Sequence, residues 1–225
     1  SRDVEWLAHI DVDEFLSPGK DIIAVLDDLP QNALAARMRP MEALAGDDRH
    51  YRAFIPGGPK RDVIVDELYP QFGLYLRGGC LSHVAGKIFV RTGLPEADFR
   101  IHNAYLRKDY TIPATEIPEI ALCHNHVLNW HDWRERFAAR HSVGAYRAGL
   151  PASRKLDTKG ETLHQLLARL QTDQGEQGLR AFYEEVCGSA ALRARLDAHG
   201  LLRHIDLKLE QKRFQYFPEH AEILD

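Results

Sequence analysis

At 225 residues, with 44% hydrophobic and 28% charged residues, the chain has the composition of an ordinary globular protein long enough to bury a substantial core. A formal net charge of -4 excludes a global field that would draw it to nucleic acid or to an anionic membrane. Cys80, Cys123 and Cys187 show no paired spacing and read as free thiols in a reducing compartment; no apolar run approaches a membrane span, so a cytoplasmic location is expected.

Residues 4–10 are apolar with few breaks, the pattern of a central strand covered on both faces. A domain seldom begins in such a strand, so further chain ahead of Ser1 is expected. Residues 11–16 leave the strand, and Ser17-Pro-Gly19 marks a turn. Ile22, Ile23, Leu26 and Leu29 then fall at helical spacing, and Pro30 stops the helix. Residues 33–41 read as a second strand and 49–60 as a loop, whereas 62–68 alternate weakly and are ambiguous. Short strands are predicted at 84–91 and 99–102, around a turn at Thr92-Gly-Leu-Pro95, and at 120–127.

Beyond residue 128 the period becomes helical. Trp130, Trp133 and Phe137 form one stripe, Leu163, Leu166, Leu167 and Leu170 a second, and Leu179, Phe182, Tyr183 and Val186 a third. Gly149-Leu-Pro151 and Thr158-Lys-Gly160 separate these helices, and Arg134, Glu135, Arg136, Arg140 and Arg147 decorate a solvated face. The expectation is an α/β mixed sheet over residues 1–128, followed by an α-helical region over 129–225 packed on it.

Asp11 and Asp13 stand two positions apart just after the first strand, so both carboxylates can point to one side. Carboxylates at the end of a strand in an open α/β sheet suit a hard divalent ion, Mn²⁺ or Mg²⁺, completed by phosphate oxygens. The bare tripeptide also fits an acidic turn capping the helix that follows. A calcium loop fits less well, because no third acidic residue and no glycine follow at the required spacing. His124 and His126 alternate and share a strand face, so either imidazole can complete such a site or simply sit half-buried. The string His-Asn-His is not in itself a nuclease motif.

Lys87 and Arg91 fall on one strand face and suit a phosphate or sugar hydroxyl, or else a solvated surface. His102 is open to the same two readings. Among Asp62, Asp66 and Glu67, Asp66 is the candidate for a carboxylate that takes a proton from an acceptor hydroxyl, against the alternative of an exposed acidic turn.

The segment Trp6-Leu-Ala-His-Ile-Asp11-Val-Asp13-Glu14-Phe-Leu16 resembles the Asp-x-Asp region of bacterial family 2 glycosyltransferases, in the subgroup with an Asp-x-Asp-Glu-Phe motif. Gly86-Lys87-Ile-Phe-Val-Arg91 with Phe99-Arg-Ile-His102, and Ala121-Leu-Cys-His124-Asn-His126 ahead of Trp130, resemble later segments of that family in the same order. The third departs from it, with His-Asn-His where histidine-tyrosine is usual. The resemblance is patchy over residues 4 to 145 and fades beyond. It implies a partial GT-A-like sheet, a nucleotide-sugar donor, a carbohydrate or other hydroxyl acceptor, and Mn²⁺ or Mg²⁺.

In that reading Asp11, Asp13 and one of His124 or His126 hold the metal, Glu14 follows in the same motif, and Lys87, Arg91 and His102 line the substrate side. The strands that hold the donor's base and ribose have no counterpart in residues 1–225, and an unpaired first strand would favour a homo-oligomer. The competing expectations are a non-catalytic carbohydrate-binding or scaffold domain of the same fold, and a metal-dependent phosphohydrolase.

Overall fold

A computed structural model of the protein describes residues 4–47, 49–146, 148–149 and 159–220. The expected breaks at Leu150, Pro151 and Thr158, and Arg147 of the charged face, lie outside these residues. The first half contains β1 (Trp6–Ala8), β2 (Glu14–Pro18), α1 (Ile22–Asp27), β3 (Ala35–Met38), β4 (Pro40–Ala43), β5 (His50–Ala53), α2 (Arg61–Leu68) and β6 (Lys87–Arg91). Next come β7 (Ala97–Phe99), β8 (Ala104–Leu106), β9 (Tyr110–Thr111), β10 (Ala114–Glu116) and β11 (Ile120–His124). The rest is α3 (Trp130–Ser142), α4 (Leu163–Val186), α5 (Ala190–Ala198), β12 (Leu202–His204) and α6 (Leu209–Tyr216).

The architecture is mixed α/β. One sheet has the order β1-β6-β3-β10, a second β12-β5-β4-β11-β2, and β7-β8-β9 form a small meander. Each of the two larger sheets has one parallel pair, β3 with β10 and β4 with β11. These pairs belong to the same two stretches of chain: only Arg39 separates β3 from β4, and residues 117–119 separate β10 from β11. A hydrogen bond from Ile117 N to Arg37 O, 3.0 Å, carries the pairing across the bend. The two sheets are thereby joined through backbone.

Several sequence expectations are corrected. Residues 4–10 do not form a central strand; β1 spans three residues at the edge of its sheet, and Leu7 is 48% exposed. Its apolar residues are partly used: Trp6, Ala8 and Ile10 pack on a cluster with Val25, Met38, Phe89 and Leu122. The turn expected at residues 17–19 begins later, because β2 continues through Pro18. Residues 33–41 are two strands, and the expected loop at 49–60 begins with β5. Residues 61–68 form a helix that buries only Val65 and Leu68, which is why its period is faint. The strand expected at 120–127 stops at His124, and β6 begins only at Lys87.

The C-terminal helices are well specified locally. Asn129 caps α3 by accepting from Asp132 N at 2.9 Å, and Thr162 with Gln165 forms a capping box at the start of α4. The second and third apolar stripes both lie on α4, which is interrupted at Gly175 with φ 60°. These helices share one core with the first half: Leu44, Leu68, Tyr69 and Leu76 pack with Trp133, Phe137, Leu167, Phe182 and Leu192. The C-terminal region also contributes a strand, β12, which pairs with β5. Cys80, Cys123 and Cys187 are buried and joined in no disulfide, and burial pushes the thiols of Cys123 and Cys187 up to about 12. Among the described residues no helix is long and apolar enough to cross a membrane.

Candidate metal centre

The chain between β1 and β2 reverses in a tight turn. Glu14 N donates to Asp11 O at 3.0 Å, and Glu14 Oε2 accepts from Asp11 N at 2.9 Å. Val12 sits at the tip, fully exposed, and the two flanking aspartates diverge. Asp11 Oδ2 lies 2.9 Å from Lys87 Nζ, which is also 3.3 Å from Glu14 Oε2. Lys87 is wholly buried, so its ammonium is committed to these carboxylates and does not face a substrate.

Asp13 faces the other way. β2 pairs antiparallel with β11, with Glu14 opposite His124, and Asn125 N donates to Asp13 O at 2.8 Å. This register sets His124 Nε2 3.4 Å from Asp13 Oδ2. His126 completes the group: one ligand atom from each of Asp13, His124 and His126 falls within 4.8 Å of the others. Both histidines therefore reach Asp13, while Asp11 is turned to Lys87. A divalent ion needs nitrogen and oxygen ligands at about 2.0–2.2 Å, and three such atoms gathered within 4.8 Å of one another could hold one. One carboxylate and two imidazoles is a donor set for a borderline or transition metal more than for Mg²⁺.

The electrostatics suit a cation. Around the turn stand three carboxylates, Asp11, Asp13 and Glu14, against the single ammonium of Lys87. Burial pushes His126 down to about 4, with the nearby His124, Arg140 and Arg52 acting in the same direction against Glu42, so the ring is neutral and able to ligate.

Behind the histidines lies a buried ion pair that sequence reading missed. Glu42 on β4 is 1% exposed and Arg52 on β5 is 3% exposed, with Arg52 Nε donating to Glu42 Oε2 at 2.8 Å. Glu42 also accepts from Leu81 N at 2.9 Å and Ser82 N at 2.6 Å. Arg52 in turn donates to Tyr69 OH at 3.1 Å and to Val186 O. Burial acts to raise the Glu42 carboxyl, but the Arg52 guanidinium above all outweighs it and holds it far below the usual carboxylate range. The only sequence signal was a charged residue inside the apolar run 40–45.

Ser82 Oγ, His124 and Asp13 lie in a row, with Ser82 Oγ 3.3 Å from His124 Nδ1. A serine-histidine-aspartate nucleophile would need free backbone N–H groups beside the serine for an oxyanion. The amides of Leu81 and Ser82 are already taken by Glu42, so the arrangement favours ion binding over acyl transfer.

The other expected site residues are placed elsewhere. Arg91 is structural: its guanidinium pairs with Glu5, donates to Ala33 O at 3.0 Å and lies 4.3 Å from the Trp6 ring centroid. His102 is in the turn after β7, not on a strand; its Nδ1 is 2.8 Å from Gly86 O and its ring stacks on His83 at 4.2 Å. Gly86 is required there, since it has φ 66° and a Cβ would meet Met38 O at 1.9 Å. Asp66 lies on the exposed face of α2, its carboxylate near Gly73, and is not brought to the Asp13 group. Beside that group, His126, Ser82, His83 and Tyr146 line an open cavity of ≈ 380 Å³. Compared with protein-family models, curated proteins and solved structures, the chain matches none.

Proposed function

We propose that this chain is the metal-binding and acceptor-side part of a glycosyltransferase that uses a nucleotide-sugar donor. The observation that carries this reading is the convergence of Asp13, His124 and His126 beside a cavity, at the motif whose sequence resembles that of family 2 enzymes. Asp13, His124 and His126 would hold a divalent cation, with Mn²⁺ preferred over Mg²⁺ because two of the ligands are imidazoles. Such a cation, when bound, neutralises charge on a diphosphate leaving group. The chain's own residues then have distinct tasks. Lys87 compensates Asp11 and Glu14 and fixes the turn that presents Asp13. Neutral His126 faces the cavity, where Ser82 and His83 supply polar contacts for a hydroxylated ligand. A GT-A-like arrangement of the sheet belongs to the same proposal.

The test is calorimetric titration of Mn²⁺ into the chain with and without a nucleoside diphosphate, UDP or GDP, followed by a donor-hydrolysis assay with and without EDTA. Tighter Mn²⁺ binding in the presence of the diphosphate, and release of nucleoside diphosphate from a nucleotide sugar that EDTA abolishes, are expected. Mn²⁺ binding indifferent to the diphosphate removes the donor reading. A second reading, a metal-dependent phosphohydrolase, draws on the single-carboxylate, two-imidazole donor set, which also suits activation of a water. Metal-dependent hydrolysis of p-nitrophenyl phosphate without any sugar nucleotide turnover would favour it.

A further inference from the structure

Asn125 stands between His124 and His126 in the chain, yet it lines a second cavity whose wall includes neither imidazole. This cavity, ≈ 370 Å³, is bounded by Ala43 and Asp47 on one side and by Asn125, Val127, Leu128 and Asn129 on the other. Its size falls within the roughly 300–1,000 Å³ of small-molecule sites. The two walls are tied together by a hydrogen bond from Gly46 N to Leu128 O, 2.6 Å.

Two polar groups of the lining are fixed, and each has hydrogen-bonding capacity left over. Tyr51, wholly buried, donates its hydroxyl to Asn125 Oδ1 at 3.0 Å and so orients the amide. Nδ2 has no partner among the described residues and keeps both of its hydrogens for a ligand. Asp47 Oδ2 faces His50 Nδ1 at 2.5 Å and accepts from Arg193 Nη1 at 2.9 Å. Among the described residues Asp47 Oδ1 accepts from Arg49 N alone, at 2.7 Å, which leaves it a second lone pair. A fixed donor and a fixed acceptor thus share one cavity.

The charge balance narrows the ligand. Arg193 compensates Asp47, and no other charged side chain among the described residues lines the cavity, so it offers no surplus cation for a phosphate. It offers what a vicinal diol requires, a donor for one hydroxyl oxygen and an acceptor for the next hydroxyl hydrogen. Ala43, Val127 and Leu128 supply an apolar wall for the C–H face of a ring. Asn125 also joins this cavity to the metal centre, because its backbone N–H donates to Asp13 O at 2.8 Å.

We propose that this cavity is a saccharide subsite, in which Asn125 Nδ2 and Asp47 Oδ1 bind neighbouring hydroxyls of a neutral pyranose. Its place as the acceptor side of a glycosyl transfer rests on the reading given above; the binding of the pyranose does not.

The experiment titrates the methyl glycosides of glucose, galactose and mannose into the ¹⁵N-labelled chain in EDTA. It follows the Asn125 side-chain amide and the backbone amides of Gly46 and Leu128. At least one glycoside is expected to move these signals. Asn125→Asp keeps an acceptor for Tyr51 but removes the two donor hydrogens, so affinity should fall about tenfold, the scale of one lost hydrogen bond. The wild-type mapping stands by itself should that variant not fold. Signals that move at Ser82 and His83 instead, no response to any of the glycosides, or undiminished affinity in a folded Asn125→Asp overturn the subsite. A chain that couples Mn²⁺ to the diphosphate but binds no glycoside loses the subsite and keeps the donor reading. One that binds a glycoside at Asn125 without that coupling keeps the subsite and loses its acceptor role.

Discussion

The Lys87 ammonium lies 2.9 Å from Asp11 Oδ2 and 3.3 Å from Glu14 Oε2, with no part of its own side chain reaching solvent. The pair ties the first residue of β6 to both ends of the turn that presents Asp13. Removing one partner of a buried ion pair leaves the other charge unpaired at a cost of about 3–5 kcal/mol. Lys87→Met should therefore lower stability on that scale in urea unfolding, mainly through Glu14, whose side chain is 6% exposed. Adding Glu14→Gln to Lys87→Met should recover part of the loss, and two strictly additive penalties would show that the pair is not coupled.

The two aspartates of the motif should separate in metal binding. Asp13→Ala removes the only carboxylate of the three-residue centre and should weaken Mn²⁺ by more than about tenfold. Asp11→Asn keeps a hydrogen-bonding side chain for Lys87 and should leave Mn²⁺ affinity within about threefold of wild type, less than the loss of a supporting residue brings. Calorimetry on the two variants decides between them, and equal losses would return Asp11 to the coordination shell.

Acid should act through Asp47. Burial acts to raise this carboxyl, but hydrogen bonds from Arg193, from Arg49 N and from His50 outweigh it and hold it below the usual range. In the unfolded chain the group has its ordinary value near about 4. The unfolded state therefore takes up the proton first as pH falls, and the stabilisation, complete above about 4, is lost progressively below it. Urea midpoints should drop over that interval, with a shallower drop in Asp47→Asn. Identical acid profiles for the two proteins would dismiss the cluster as a source of stability.

Trp133 tests whether the helical region and the sheet stand or fall together. It is fully buried in a core that combines α3, α4 and α5 with Leu44, Leu68 and Leu76 from the first half. Trp133→Ala should cost about 3–5 kcal/mol. Far-ultraviolet dichroism and a label on β5 should then report the same shifted midpoint. Two separated transitions would mean that the core is divided.

Part of this site could be read from the sequence because its signals are local. The Asp-x-Asp turn and His-Asn-His each sit at a strand end, and their approach is a matter of one antiparallel register. The supporting layer was not legible, since Glu42, Arg52 and Ser82 come from three separated segments and meet only after folding. β5 escaped notice because both Tyr51 and Arg52 are buried, so no alternation marks an inner face. The overestimate at residues 4–10 has the opposite cause. An apolar run at a sheet edge looks the same as one at its centre, and only pairing partners distinguish them.

The three buried thiols give the molecule built-in timers. Cys80 stands in the loop ahead of β6, Cys123 on β11 beside the centre and Cys187 at the end of α4, and each is closed to solvent. A thiol reagent can reach them only through transient opening of the chain around each one. The order in which the three are modified is thus a readout of which part of the protein breathes first, obtained without a single engineered substitution.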